Sequence, residues 1–275
     1  MKAEGIAVVT GASRGIGRAV ALDLAAAGFE VVASMRNPAA GAGLPAEAKA
    51  MGGRLRVERL DVTDPSTLAM PDGLRVLVNN AGVEREYLPV EHQPLAQWRE
   101  IFETNVFGLL EVTKRAIPKL RASGGGVLCN ITSSSYLAAI PFYSAYRASK
   151  MAVAALGEGL RAELAPFGIR VVEILPGPIE SDMLMGSERM PEAHRFPEYR
   201  KMAEHSFRAR ERIKGQYTPA AAAAEAIRRA ILDDGAPLRN ACDAMGATLL
   251  EAWRTSSDEE LMRRTLGDPK RYQDL

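Results

Sequence analysis

Cysteine is scarce in this chain, and neither sign of charge is in excess. Two cysteines, Cys129 and Cys242, occur among 275 residues, which is too few for a disulfide framework. We expect both thiols to be buried as small apolar groups in a protein that works in a reducing compartment. Lysine and arginine total 35 against 34 aspartates and glutamates. This balance excludes the basic excess typical of proteins that bind nucleic acid or anionic membranes.

Long apolar runs and metal-ligand spacings are also lacking. No stretch approaches the ~18 uninterrupted apolar residues that a membrane-spanning helix requires. Glycine-rich sequence begins within about ten residues of the N-terminus, which leaves no room for a signal peptide. We therefore expect a cytoplasmic protein without a membrane span. The three histidines, His92, His194 and His205, are scattered, so the sequence predicts no metal site.

Short β-branched runs alternate with longer segments of helical period along most of the chain. This alternation predicts an α/β fold, a doubly wound parallel sheet of Rossmann type with right-handed crossovers and helices on both faces. The chain is long enough to bury one large core, and no repeat or linker divides residues 1–275, so we expect a single domain. The predicted strands are residues 6–10, 31–33, 55–60, 76–78, 126–131 and 169–175.

Helical period predicts two long helices at residues 94–122 and 145–166, and further helices at 219–233 and 246–265 within a C-terminal extension, 219–275. Segment 181–216 is charged and follows the last predicted strand, which is where a substrate lid is expected. Alanines and glycines line the helix face at 148–159. This face would allow close packing against a second subunit, so we expect a homodimer or homotetramer.

A glycine-rich loop, TGASRGIG over residues 10–17, connects the first predicted strand to a helix. Glycine here permits a tight turn, close approach of a pyrophosphate and close helix–strand packing. The following helix N-terminus offers free N–H groups to phosphate oxygens. Many strand–helix turns contain such glycines, but the position directly after the first buried strand favours dinucleotide binding.

Tyr146 and Lys150 lie four residues apart on one face of a predicted helix. A phenol with an ordinary pKa of about 10 exchanges protons poorly at neutral pH, and an adjacent cation moves that pKa toward the working range. Ser133 follows a predicted strand whose C-terminal end should face the ligand crevice. The serine hydroxyl would hold a substrate oxygen while the phenol exchanges its proton. Tyr143 is a poor rival for Tyr146, because Arg147 rather than lysine stands four residues after it.

These motifs resemble those of the short-chain dehydrogenase/reductase family in order and spacing along residues 5–181. The C-terminal part more loosely resembles the branch that contains 17β-hydroxysteroid and retinol dehydrogenases. The matching pieces are the glycine loop, Leu-Asp-Val at 60–62, Asn-Asn-Ala-Gly at 79–82, Asn105, Ser133, Tyr-x3-Lys at 146–150 and Pro-Gly at 176–177. The resemblance implies a Rossmann-type sheet of about seven strands. Many members end in a short strand, whereas here residues 237–243 carry no such ending and are followed by further predicted helix.

The resemblance also implies roles for individual residues. Tyr146 would be the catalytic acid and base, Lys150 would lower its pKa, Ser133 would orient the substrate oxygen, and Asn105 would anchor a water that leads protons to solvent. Asp61 would bind the adenine amino group, and Asn80 to Gly82 would line a ribose. The implied cofactor-binding residues are Gly11, Ser13, Arg14, Gly15, Ile16, Gly17, Arg36, Asp61, Val62, Asn80, Ala81, Gly82, Tyr146, Lys150, Pro176, Gly177, Ile179 and Ser181.

Structural roles are the alternative for several of these positions. Asp61 would cap the turn before Asp64, Asn79 would satisfy groups between strands, and Asn105 would kink its helix. Arg14 would simply face solvent.

The cofactor's identity is indicated by the end of the second strand. NAD-specific enzymes place an acid there to bind the ribose 2′-hydroxyl, but this chain has Met35, followed by Arg36. Arg14 and Arg36 together would grip a 2′-phosphate with charge-assisted bonds. We therefore predict NADP(H) in preference to NAD(H).

The substrate is predicted only by class, as a small carbonyl or alcohol compound. Tyr136, Phe142, Tyr143 and Met183 stand beside the active residues and suit a hydrophobic substrate, although they suit ordinary packing equally well. The leading hypothesis is an NADPH-dependent carbonyl reductase. The alternatives are an NAD-dependent alcohol dehydrogenase that works in the oxidising direction and an NADP(H)-sensing regulator without turnover.

Overall fold

The computed structural model describes residues 1–181, 184 and 189–266, and it contains one parallel sheet of seven strands. The strands are β1 (Ile6–Thr10), β2 (Glu30–Met35), β3 (Arg54–Arg59), β4 (Leu74–Asn79), β5 (Gly126–Ile131), β6 (Ile169–Leu175) and β7 (Arg239–Ala241). Their order in the sheet is β3-β2-β1-β4-β5-β6-β7, so β1 to β3 lead to one edge and β4 to β7 to the other.

Helices cover both faces of this sheet, as a doubly wound fold requires. They are α1 (Gly15–Ala27), α2 (Leu44–Ala50), α3 (Leu95–Phe102), α4 (Leu109–Ala122), α5 (Ser144–Leu164), α6 (Arg200–Ile213), α7 (Ala220–Leu232), α8 (Ala244–Thr255) and α9 (Asp258–Leu266). A π-helical turn, Glu103–Gly108, joins α3 to α4. None of the described helices is both long and apolar enough to cross a membrane.

The central strands are apolar throughout because both of their faces are buried. Val8 of β1 pairs in register with Val32 on one side and Leu77 on the other. Val9 and Val31 belong to the cluster under α1 and α7, whereas Val8 and Leu77 belong to the cluster under α4 and α5. The two cores lie on opposite faces of one sheet, and Cys129 is buried in the first of them.

The switch in strand order between β1 and β4 opens a crevice at the carboxyl ends of the strands, where ligands bind in this architecture. The predicted Rossmann-type α/β fold is therefore confirmed. The six predicted strands all form, and 6–10, 126–131 and 169–175 have the predicted bounds.

The C-terminal part differs from the prediction in two respects. Residues 239–241 form a short seventh strand that pairs in parallel with β6, although their sequence carries no strand pattern. The edge of β6 supplies backbone hydrogen-bond partners, and these stabilise the strand although its own sequence does not predict it. The predicted helix 246–265 consists of two helices, α8 and α9, which meet at Ser256 and Ser257.

Part of the predicted lid, 181–216, forms two short turns of 3-10 helix followed by α6. Ala193 and Ala203 of this segment pack with Tyr87 and Phe142. The ring of His92 stacks on Phe196, with centroids 3.8 Å apart, and fastens the segment to the chain that follows β4. The predicted substrate contact Met183 and the last nine residues of the predicted C-terminal extension lie outside the described residues.

Candidate functional site

A cleft of about 750 Å³ lies at the carboxyl ends of the strands, on both sides of the switch point. Ser133, Tyr146 and Lys150 lie on its wall together with every residue that the resemblance implied for cofactor binding. The glycine loop, Arg36 and Tyr146 all line this one cleft. Residues up to 170 positions apart in sequence therefore meet at one edge of the sheet.

The glycine loop adopts a conformation that other residues would strain. Gly11 has φ +66° and Gly15 has φ +55°, the left-handed region that favours glycine. A Cβ on Gly17 would lie 2.3 Å from Nδ2 of Asn80. That amide donates to the carbonyl oxygens of Thr10 and Gly11 at 3.0 and 3.1 Å. Asn80 thus supports the loop from beneath, a role that the sequence did not reveal.

The N-terminus of α1 fits a cofactor's pyrophosphate. It has no side-chain cap and no acidic residue in its first turn, so neither a cap nor a negative charge competes for the first N–H groups. Gly15 and Ile16 of this turn line the cleft. Free N–H groups and the positive end of the helix dipole together favour an anion at such a position.

Two arginines on the cleft wall could hold the 2′-phosphate of an adenosine. Arg14 and Arg36 are exposed and line the cleft. Met35, in the place of an acid, is 2% exposed and also borders it. Asp61 lines the cleft too, and its Oδ1 accepts from the backbone N and hydroxyl of Thr63 at 3.0 and 2.8 Å. Asp61 therefore fixes the local turn, as the structural alternative predicted, while it remains at the cleft wall.

Tyr146 and Lys150 lie on the cleft side of α5, one turn apart. Nζ of Lys150 is 5.6 Å from the centroid of the Tyr146 ring and donates to the carbonyl of Ile131 at 3.0 Å. Both side chains are buried. The end of β5 thus holds the ammonium group in place beside the phenol.

Burial shifts the pKa of both groups. Burial and, secondarily, the negative charge of Glu84 raise the pKa of Tyr146, while the Ser133 hydroxyl acts in the opposite direction. Burial also lowers the pKa of Lys150 to about 8, against the opposing influence of Glu173. Removal of the phenol from water therefore acts against the lowering of its pKa that was predicted for Lys150, and that role of Lys150 stays a prediction.

Ser133 lies two residues after the end of β5 and caps the 3-10 turn that follows. Its Oγ accepts from the backbone N of Ser135 at 3.2 Å and donates to the hydroxyl of Ser135 at 2.8 Å. Ser134 is 3% exposed and does not line the cleft. Of these three neighbouring serines, the one selected by the family spacing lies on the cleft wall.

Asn105 is fully buried in the π-helical turn and lies behind the cleft wall rather than on it. Its Oδ1 accepts from the backbone N of Val83 at 2.8 Å, and its Nδ2 donates to the carbonyl of Val83 at 2.9 Å. Nδ2 also donates to the Ser149 hydroxyl. The π turn that contains Asn105 separates α3 from α4, and π turns inserted into helices recur at functional positions. The same side chain ties α5 to the chain after β4.

The predicted substrate contacts divide into two groups. Tyr143 lines the cleft, and its ring centroid is 4.8 Å from that of Tyr146. Tyr136 and Phe142 lie instead in packed clusters and do not line the described cleft. The Tyr136 hydroxyl donates to the buried carboxylate of Glu173 at 2.8 Å, so its position next to Ser133 in sequence was a poor guide.

Two carboxylates near the candidate reactive side chains were not predicted from the sequence. Glu84 lines the cleft and accepts from the Tyr143 hydroxyl at 2.6 Å. Glu173 lies behind Lys150, where its Oε1 accepts from the Thr132 hydroxyl at 2.7 Å and its Oε2 is 3.4 Å from Nε of Arg239. A glutamate within the apolar run of β6 was the available signal, because a buried acid needs partners. Glu84 carried none.

Comparison with known proteins agrees with this geometry. The family model described as short chain dehydrogenase matches residues 5–192. An uncharacterized oxidoreductase, YusZ of Bacillus subtilis, is 39% identical over 181 residues, which cover 62% of this chain and 64% of that protein. Rat estradiol 17-beta-dehydrogenase 2 is 34% identical over 191 residues, 66% of this chain and 49% of that enzyme. The chain thus matches less than two thirds of the length of either relative.

A solved structure extends the similarity beyond the matched segment. A short chain dehydrogenase from Burkholderia cenocepacia, crystallised in complex with NADP, superposes with a TM-score of 0.74. The two chains are 26% identical, and the match covers 98% of this chain and 100% of that one. The similarity therefore includes the C-terminal part of the fold as well as the motif-bearing region.

Proposed function

The chain belongs to the short-chain dehydrogenase family, and we propose that it is an NADP(H)-dependent carbonyl reductase in which Ser133, Tyr146 and Lys150 handle the substrate oxygen and its proton. The observation that carries the proposal is the meeting of these three side chains with the glycine loop on the wall of one cleft. Strand ends from both sides of the switch point contribute to that cleft, which is where this architecture binds its ligands.

The chemistry divides between the cofactor and the chain. Bound NADPH would supply the hydride for the carbonyl carbon. The Ser133 hydroxyl would donate to the substrate oxygen and hold it against Tyr146, whose phenol would give that oxygen its proton. Lys150, held by the Ile131 carbonyl, would favour the phenolate that forms when the proton leaves.

The phenol of Tyr146 can serve either direction of the reaction. A phenol with an ordinary pKa of about 10 is protonated at neutral pH, and burial of Tyr146 keeps it so. In the reducing direction it would give its proton to the carbonyl oxygen, and in the oxidising direction its phenolate would take one up.

NADP(H) rather than NAD(H) is favoured by the charges at the adenosine end. Arg14 and Arg36 line that part of the cleft, where Met35 replaces an acid. The similar Burkholderia cenocepacia enzyme was crystallised with NADP. A 2′-phosphate would accept charge-assisted bonds from the two guanidinium groups, whereas the 2′-hydroxyl of NAD would leave them without that partner.

We also propose that 181–216 is a lid over the substrate end and that the chain forms a homo-oligomer. The described part of the lid packs on Tyr87 and Phe142 beside the cleft. Phe107 and Met151 are 51% and 45% exposed near the small-residue face of α5, and burial of such side chains in a subunit contact would be favourable.

Replacement of Tyr146 by phenylalanine tests the reductase proposal. Because the proton donor is lost while the ring is kept, we expect kcat/KM with NADPH and a broad panel of ketones, aldehydes and quinones to fall about 10²- to 10⁴-fold, with NADPH binding retained. Tyr217→Phe is the matched control, since Tyr217 lies outside both the cleft wall and segment 181–216. Normal turnover by Tyr146→Phe would refute the mechanism. NADPH binding without hydride transfer to any of the panel would favour a regulator instead.

A further inference from the structure

Glu84 is unlike the other acids on the cleft wall. Asp61, Glu100 and Glu103 also line the cleft, but the Asp61 carboxylate accepts from Thr63, and both glutamates are exposed. Glu84 is partly buried, and its Oε2 accepts from the Tyr143 hydroxyl at 2.6 Å. The Tyr143 ring in turn lies 4.8 Å from the Tyr146 ring, centroid to centroid. One aromatic ring therefore separates this carboxylate from the proposed proton donor.

The backbone on both sides of Glu84 is fixed. Asn105 accepts from the N–H of Val83 and donates to its carbonyl. Three residues after Glu84, the N–H of Tyr87 donates to the buried Glu192 at 3.1 Å, and the Tyr87 carbonyl accepts from Ala193. The carboxylate is thus held in position before a substrate arrives, which reduces the entropy lost when a substrate group binds to it.

The electrostatics identify the kind of group that Glu84 would accept. Burial raises the pKa of its carboxyl, and the hydroxyls of Tyr143 and Tyr87 and the charge of Arg210 act in the opposite direction. The Arg210 guanidinium is 4.5 Å from the Tyr87 ring centroid and 5.9 Å from that of Tyr143. A cation is therefore already close to the carboxylate, so a neutral donor suits the position better than a further positive charge.

A carboxylate accepts about four hydrogen bonds, so the Tyr143 hydroxyl leaves acceptor capacity for a ligand. A purely apolar substrate would displace water from Glu84 without replacing its hydrogen bonds, and such desolvation is costly. A substrate hydroxyl would replace them.

We propose that Glu84 is a specificity-determining residue that accepts a hydrogen bond from a hydroxyl group of the substrate, so that the favoured substrates are hydroxy-substituted ketones. This inference rests on the proposed reductase function and deepens it. It also modifies the expectation of a wholly hydrophobic substrate, because the acid lies on the same wall as Tyr143.

The test compares cyclohexanone with its 2-, 3- and 4-hydroxy derivatives as substrates, with NADPH present. Because hydrogen bonds to a charged group are the stronger kind, we expect the best hydroxy isomer to have a kcat/KM about 10- to 100-fold above that of cyclohexanone. In Glu84→Gln this ratio should fall below about 3-fold. The matched control is Glu86→Gln, an exposed acid two residues away that does not line the cleft, and there the ratio should be kept.

A binding measurement separates this inference from the reductase proposal. Cyclohexanol and 1,4-cyclohexanediol are titrated calorimetrically into the complex with NADPH, in which no hydride transfer to an alcohol is possible. Diol binding about tenfold tighter in the wild type, lost in Glu84→Gln, would support the inference even if every ketone failed to react. Turnover of ketones with no advantage for any hydroxy isomer would overturn it and leave the reductase proposal standing. Tighter binding of 4-aminocyclohexanol than of the diol would also overturn it, since the favoured donor would then be a cation.

Discussion

Replacement of Gly17 by alanine should damage the cofactor loop more than any comparable glycine substitution on the surface. The new Cβ would lie 2.3 Å from Nδ2 of Asn80 and 2.5 Å from the carbonyl oxygen of Gly11. Each of these pairs must separate by about 1 Å to reach ordinary van der Waals contact. Asn80 cannot move that far without loosening its hydrogen bonds to Thr10 and Gly11.

The expected cost follows from these contacts. Overpacking of this kind costs about 1–3 kcal/mol, and one neutral hydrogen bond lost beneath the loop adds about 1 kcal/mol. We therefore expect the free energy of unfolding to fall by about 2–4 kcal/mol in urea titrations. Gly11 and Gly17 both line the cleft, so NADPH affinity, measured by its fluorescence on binding, should fall at least about tenfold.

Gly43→Ala is the matched control. Gly43 has ordinary right-handed backbone angles, and its added Cβ would meet nothing closer than 3.4 Å, at Oε1 of Glu47. Its stability should change by no more than about 0.5 kcal/mol. A Gly17→Ala protein with wild-type stability and wild-type NADPH affinity would refute the reasoning, because the loop would then have room that the structure denies it.

Two further predictions concern charges. Arg36→Ala should weaken NADPH binding about 10- to 100-fold and NADH binding little, since only the bond to the 2′-phosphate would be lost. The control is Arg59→Ala, an exposed arginine outside the cleft, which should change the affinity for neither cofactor. An equal loss of affinity for both cofactors in Arg36→Ala would contradict the proposed contact with the 2′-phosphate. Lys150 is charged below its pKa of about 8 and loses that charge as pH rises through it. Because Glu173 raises that pKa, Glu173→Gln should move the alkaline limb of the kcat/KM profile to lower pH by about 0.5–1 unit. The control is Glu158→Gln, an exposed acid, and there the limb should not move. An unmoved limb in Glu173→Gln would show that Glu173 only supports packing.

The local sequence determined much of the fold and of the site. Strand and helix patterns repeat with periods that depend on which faces are buried, so β1, β5 and β6 could be predicted to the residue. The glycine loop and the Tyr146–Lys150 pair depend on short-range backbone geometry and helix spacing. Each of these signals depends on residues a few positions apart, so it can be read from the sequence without knowledge of the fold.

Contacts between distant segments were decided only by the tertiary structure. The strand 239–241 exists because the edge of β6 offers it hydrogen bonds, and nothing in its own three residues indicates this. Tyr136, adjacent to the active residues in sequence, turns away to Glu173, while Glu84 is brought beside Tyr143 across 59 positions. Burial then raises the pKa of Tyr146 above the value that its cationic neighbour alone would suggest. Burial and long-range pairing are properties of the assembled chain, so the raised pKa of Tyr146 and the place of Glu84 on the cleft wall depend on the fold rather than on the motifs.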